Sequence, residues 1–270
     1  MKRKLLAVAV LSILACCLPV AGYCDTPGAG AGVADAQPQA DMHCLLNSYS
    51  ALADEYFNSV LRDLRLLAAT DEVRSGNWES MKGLLTVFDK SGIAAAAVWY
   101  ARPDGGYYTV EEGLTGKGLS DRPYFPGLVS GKEVAGELVI SRSTGKRASV
   151  FAVPVRSGDK VTGAVGVSVS VEETSRMLNE KMGLPKNFVF YALDTKGRVS
   201  LHGKPELLFV YPSDLGSDTL NDAVQRMMSE NEGEVAYEFQ GNKRVYFKKS
   251  PLTGWVYALG VVSGHGQDAR

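Results

Sequence analysis

Asp121-Arg122-Pro123-Tyr124-Phe125 places one guanidinium and two aromatic rings within four positions, in a stretch that is otherwise weakly charged and punctuated by glycine. Arginine presents a rigid fork of donors that matches a carboxylate bidentately, and neighbouring rings exclude water and strengthen the contact. The combination suits recognition of a small carboxylate better than it suits catalysis. Taken alone, the same residues also fit a surface hydrogen bond beside a half-buried ring, so the flanking sequence has to decide.

Support for an enzyme is thin. Asp121 beside Arg122 and the dispersed acids permit acid-base chemistry, but there is no Ser-His-Asp ordering, and His43, His202 and His265 are scattered without metal-ligand spacing. The glycines between Gly28 and Gly32 follow no strand, and Gly113 to Ser120 lacks the spacing of a phosphate loop. No cofactor is expected. Nucleic acid is disfavoured as well: 29 basic residues face 30 acidic ones, three of the basic ones sit in the first four positions, and no basic stripe is interleaved with aromatics.

Met1-Lys2-Arg3-Lys4 followed by the apolar run Leu5 to Ala15 has the form of an export signal and is short for a bilayer span. Ile13-Leu14-Ala15-Cys16 resembles a bacterial lipobox, which would make Cys16 the lipidated terminus, although Leu14 is unusual at its place. Plain cleavage near Val20-Ala21-Gly22 and an uncleaved anchor are the rival readings. In each, the body is extracytoplasmic, periplasmic in a bacterium with two membranes. Cys16, Cys17, Cys24 and Cys44 all precede the expected core, so none staples it, although Cys24 and Cys44 could pair. Residues 25–39 are rich in Gly, Ala, Pro, Asp and Gln and bury too little to fold, which makes them a tether.

The remaining ~230 residues are long enough for one large or two small domains. Leu45, Tyr49, Leu52, Tyr56, Val60, Leu64 and Leu67 recur at three- and four-residue steps, predicting a long amphipathic helix over residues 42–70. A second helix begins after Asn77 and carries Trp78, Met81, Leu85 and Phe88. Beyond Gly92 the period changes to that of strands. Residues 93–100 and 106–110 flank the turn Arg102-Pro103-Asp104-Gly105-Gly106, and 134–141, 148–155 and 161–169 follow, with Gly163 and Gly166 marking a close approach to the last strand. A helix over 171–182 separates this set from a second. That set comprises strands 187–193 and 198–202, a helix over 218–230, and strands 234–240, 243–250 and 255–262. One plan is repeated, giving a duplicated α+β module behind one long helix.

The joint order of Tyr100 to Gly105, Asp121 to Phe125, Ser143-Thr144-Gly145, Ala152-Val153-Pro154-Val155 and Gly163-Ala164-Val165-Gly166-Val167 resembles the double Cache (dCache) family of extracytoplasmic sensor domains. Phe190 to Gly197, Leu201-His202 and Ser250-Pro251-Leu252-Thr253-Gly254-Trp255 resemble its smaller, membrane-proximal half. The likeness covers about residues 42–262.

It implies an α+β chain in which a long N-terminal helix carries two stacked PAS-like antiparallel-sheet lobes. The boundaries expected are 1–23 for the export signal, 24–41 for the tether, 42–182 for the helix and membrane-distal lobe, 183–262 for the membrane-proximal lobe, and 263–270 for a polar tail. It also implies a small molecule in the distal lobe. In the amino-acid-binding branch an arginine and an aromatic two positions later hold the ligand carboxylate, and Arg122 and Tyr124 match them, with Phe125 as the next aromatic.

That branch has an aspartate for the ligand amine where this chain has Ser168, and a tyrosine where it has Lys117. An ammonium without a counter-charge is costly to bury, so an organic acid is expected in place of an α-amino acid. Trp99, Tyr107, Ser141, Ser143 and Thr144 are further candidate lining residues. Nothing after Val262 resembles a second span or an output domain. The expected partner is therefore a carboxylate ligand together with a membrane receptor, sensor kinase or transporter. A structural or assembly lipoprotein of the envelope, with no small ligand, is the alternative.

Overall fold

A computed structural model describes residues 36–263; the export leader with Cys16, Cys24 and nearly all of the polar tail lie outside the described residues. Helix α1 (Ala36–Ala68) starts six residues ahead of the expected helix and runs for 33 residues. Its wholly buried side chains are Leu46, Ala53, Phe57, Val60, Leu61 and Leu64, whereas Leu45, Tyr49, Leu52 and Tyr56 of the predicted stripe are half-buried. The stripe is thus one edge of a wider buried arc, because the helix packs against both lobes and not against one sheet. Thr70 ends it by adopting extended backbone and capping the short helix α2 (Asp71–Arg74). Helix α3 (Trp78–Asp89) starts where expected, with the Asn77 side chain accepting from the Glu79 N–H.

The first lobe is a six-stranded antiparallel sheet of β1 (Ala95–Ala101), β2 (Gly106–Thr109), β3 (Gly113–Gly118), β4 (Val134–Ile140), β5 (Arg147–Ser157) and β6 (Lys160–Ser170), in the order β3-β2-β1-β6-β5-β4. Strand β3 was not apparent in the sequence. Its glycines have low strand propensity, and two of them, Gly113 and Gly116, take positive φ at this sheet edge. A short helix α4 (Phe125–Val129) follows. Side chains alternate along the central strands: Val98, Tyr100, Phe151, Val153, Val165 and Val167 face the core shared with α1, whereas Trp99, Ala101, Val150, Ala152 and Ala164 face a second cluster closed by Leu119, Phe125 and Leu128.

Helix α5 (Val171–Met182), capped by Ser170 and ended at Gly183 in the left-handed region, leads to the second lobe. Here β7 (Phe188–Leu193), β8 (Val199–His202), β9 (Glu232–Glu238), β10 (Asn242–Lys249) and β11 (Val256–Ser263) form a sheet in the order β8-β7-β11-β10-β9, with α6 (Asp218–Ser229) across it. Without the edge strand β3, the first sheet has the same order, so the predicted duplication is present. The fold is α+β, with a long N-terminal helix and two PAS-like antiparallel sheets.

Trp255 joins the lobes. Its indole N–H donates to the Gly136 carbonyl at 3.1 Å, and Phe57 of α1 lies edge-on to it at 5.3 Å while stacking on Phe151 at 4.9 Å. Gly136 has φ +87, and a Cβ there would sit 3.0 Å from the indole, so any side chain adds crowding to backbone strain. Phe57→Ala is expected to lower stability by about 3–5 kcal/mol through the cavity it leaves. Gly136→Ala should cost about 1–3 kcal/mol by overpacking. Leu66→Ala, at a side chain 66% exposed, should stay within about 0.5 kcal/mol. Urea midpoints of the three variants check this order.

Candidate functional site

Four of the sequence-predicted residues meet on one face of the first sheet. Trp99, Tyr107 and Phe125 belong to one buried cluster, each 3% exposed, and Tyr124 packs against it. Trp99 lies across β6 at Gly166, where a Cβ would come within 2.4 Å of the indole, which is the close approach that the glycine signalled. Ser168 is opposite Ala97 and Val150 and two positions from Gly166, so it shares the face of Trp99. Its side chain is buried, and its hydroxyl has no hydrogen-bond partner among the described residues. The same holds for the Tyr107 and Tyr124 hydroxyls.

Arg122 is half-buried at the rim of this face. One terminal nitrogen donates to the Ile140 carbonyl at 2.8 Å, and Nε is buried with no partner. An unmade hydrogen bond at a buried donor costs about 1–3 kcal/mol, and this nitrogen is the one such charged donor among the described residues.

Ser141, Ser143 and Thr144 are placed differently. Ser141 Oγ meets Ser143 Oγ at 3.3 Å and accepts from the Thr144 N–H at 3.4 Å, while Thr144 Oγ1 accepts from the Lys146 N–H at 3.4 Å. These hydroxyls shape the β4–β5 turn. The residue that sequence reasoning missed sits among them. Arg142 donates to the Gly118 carbonyl and pairs with Asp121 at 2.5 Å, and its own carbonyl accepts from Lys117 Nζ at 2.7 Å. Together with the Arg122 bond, these contacts latch the 117–122 segment to the 140–142 segment across the cluster's mouth. No local pattern marks Arg142, because its partners lie more than twenty residues upstream.

Electrostatics follow this placement. Burial pushes the Tyr124 phenol up to about 12, opposed by the nearby Arg122 and Arg142 charges. The Asp121 carboxyl is held below its ordinary value, chiefly by the hydrogen bond from Arg142. Among the described residues no group of His, Cys, Asp and Glu is arranged to hold a metal, and no helix is long and apolar enough to cross a membrane.

Two PAS-like antiparallel sheets behind one long helix make the dCache-type fold. Solved structures agree. The chain is similar to an extracellular ligand binding receptor from Desulfohalobium retbaense DSM5692, at TM-score 0.68 and 16% identity over 83% of this chain, and it spans 40% of that receptor's length. It is similar to the ligand-binding domain of the Pseudomonas aeruginosa PAO1 amino acid chemoreceptor PctB in complex with L-Arg, at TM-score 0.67 and 14% identity over 87% of this chain and 99% of that one. It is also similar to the sensor domain of the V. cholerae histidine kinase DctB, at TM-score 0.62 and 16% identity over 85% of this chain and all of that one (100%). No family profile and no curated protein matches the sequence.

The raised Tyr124 phenol has a testable consequence. Between pH 10 and 12 an unfolded tyrosine loses its proton while Tyr124 keeps it, so the folded state binds more protons and stability falls as pH rises through that window. Tyr124→Phe is expected to make this fall shallower, measured as urea midpoints from pH 9 to pH 12. An identical slope in the variant would contradict the buried, protonated placement.

Proposed function

We propose that the chain is an extracytoplasmic binding protein for a small organic acid, with the ligand carboxylate on Arg122 and Tyr124 and the rest of the molecule against Trp99, Tyr107, Phe125 and Ser168. Its anchor is a lipid on Cys16, and it works with a membrane receptor, sensor kinase or transporter. The observation that carries the reading is the buried Arg122 Nε without an acceptor, beside three hydroxyls on the same lobe that also lack partners. A carboxylate satisfies the donor, and charge-assisted bonds of this kind contribute about 1.5–3 kcal/mol.

An organic acid is favoured over an α-amino acid by the charges available. The only fully buried acidic side chain among the described residues is Asp194, in the second lobe. Ser168 itself offers an ammonium a hydroxyl and no counter-charge, and Glu137, the carboxylate near Tyr124, is paired with Lys196. The Arg142 latch closes the segment that covers the cluster, so ligand entry requires those contacts to yield.

Isothermal titration with lactate, malate, succinate and a panel of α-amino acids tests this. At least one of the acids should bind. Arg122→Ala should weaken it about 10- to 100-fold, the equivalent of about 1.5–3 kcal/mol, with a melting curve close to that of the parent. Ser168→Asp should weaken the acid further by placing a like charge beside it. Undiminished acid binding by Arg122→Ala, or a parent chain that binds only amino acids, would overturn the assignment.

A further inference from the structure

The duplicated plan puts a second cavity in the second lobe, between its sheet and the layer made by the β8–α6 connection and α6. Its volume is about 500 Å3. That volume lies in the range of small-molecule sites, ~300–1,000 Å3. The wall is apolar and aromatic, with Phe188, Leu220, Val224 and Phe239 among its members.

Charge on the cavity lining is basic, with Glu206 near His202 but outside the lining. Lys186, Lys204 and Lys243 line it, and no aspartate or glutamate does. Lys243 Nζ donates to the backbone carbonyls of Phe239 and Gln240 and lies over the Tyr237 and Phe239 rings at 5.6 and 5.5 Å, and Lys204 Nζ donates to Gln240 Oε1 at 2.9 Å. Neither ammonium has a carboxylate partner among the described residues. His202 stands beside them. Its Nδ1 accepts from the Lys204 N–H at 2.8 Å, so the neutral ring carries its hydrogen on Nε2, which has no acceptor among the described residues. Burial lowers the Lys243 ammonium below its usual value and His202 to about 4; nearby lysine charge pushes each further down, opposed at His202 by Glu206. Two mutually repelling cations and a free N–H donor at the edge of an apolar chamber are all relieved by one anion with an apolar body.

We propose that this cavity is a second ligand site, for a monocarboxylate with an aliphatic or aromatic body, its carboxylate held by Lys243, Lys204 and the His202 Nε2–H. The site is independent of Arg122, so a chain may fail one test and pass the other.

Calorimetric titration of the full chain with octanoate and 3-phenylpropanoate, with octanamide as the neutral control, tests it. At least one of the two acids should bind at one equivalent and raise the melting midpoint, and octanamide should bind at least tenfold more weakly. Lys243→Met, which keeps the stem and removes the charge, should weaken the acid at least tenfold, and Lys204→Met at least threefold. Val224→Trp, which fills the chamber, should abolish binding, while Arg122→Ala should leave it unchanged. Circular-dichroism melts establish which variants fold; if Lys243→Met does not, Lys204→Met and Val224→Trp decide. The proposal is overturned if neither acid binds, if the folded Lys and Val224 variants bind as the parent does, or if Arg122→Ala removes the effect.

Discussion

The wedge of Trp255 between the lobes is the contact on which the rest of the structure depends. The indole is fully buried, its N–H is spent on the Gly136 carbonyl, and it abuts Phe57 of α1. Three elements far apart in sequence meet there: the long helix, the fourth strand of the first sheet and the last turn of the second. The turn is itself docked on α1, because Ser250 and Tyr257 both donate to Asp54 Oδ1 at 2.7 Å. Lys196 with Glu137, and Arg147 with the Leu208 carbonyl, add polar ties around the same seam. A buried aromatic cluster that satisfies its one polar atom gives a rigid joint, because neither lobe can shift without opening a void or stranding the indole N–H.

This joint leaves the other face of each sheet to a separate covering segment. In both lobes one face is committed to the core with α1, and the opposite face is closed by the segment between β2 and β4 in the first lobe and between β8 and β9 in the second. The two faces then diverge in chemistry. The first is lined by hydroxyls and an under-satisfied guanidinium beneath a latch of Arg142, Asp121 and Lys117. The second is apolar with ammonium groups at its edge. One architecture thus carries a face with hydroxyls and a guanidinium in the first lobe and an apolar, lysine-edged cavity in the second, on the same backbone plan.

Much of this was legible in the sequence because local chemistry dictates it. Asn77 and Ser170 mark helix starts by side chains that cap backbone N–H groups, and Asp194 shapes its turn by accepting from the N–H groups of Lys196 and Arg198. Gly166 announced the approach of Trp99. What escaped notice depends on partners distant in sequence. Strand β3 exists because β2 offers an edge to a glycine-rich segment of weak intrinsic preference. Arg142 acts through residues more than twenty positions upstream, and Ser141, Ser143 and Thr144 turn their hydroxyls into the turn itself. The chamber of the second lobe required the lysines of a loop and of β10 to meet, which no spacing reveals.

The Nε–Hε region of a nitrogen-15 correlation spectrum reports directly on whether Arg122 Nε takes up a carboxylate. The resonance absent from Arg122→Lys identifies the group. Titration with the organic acid that binds should move that resonance downfield in proportion to occupancy and protect its proton from exchange with water, while the Arg102 and Arg176 signals stay in place. An Arg122 resonance that does not move when the acid saturates the protein would contradict the account.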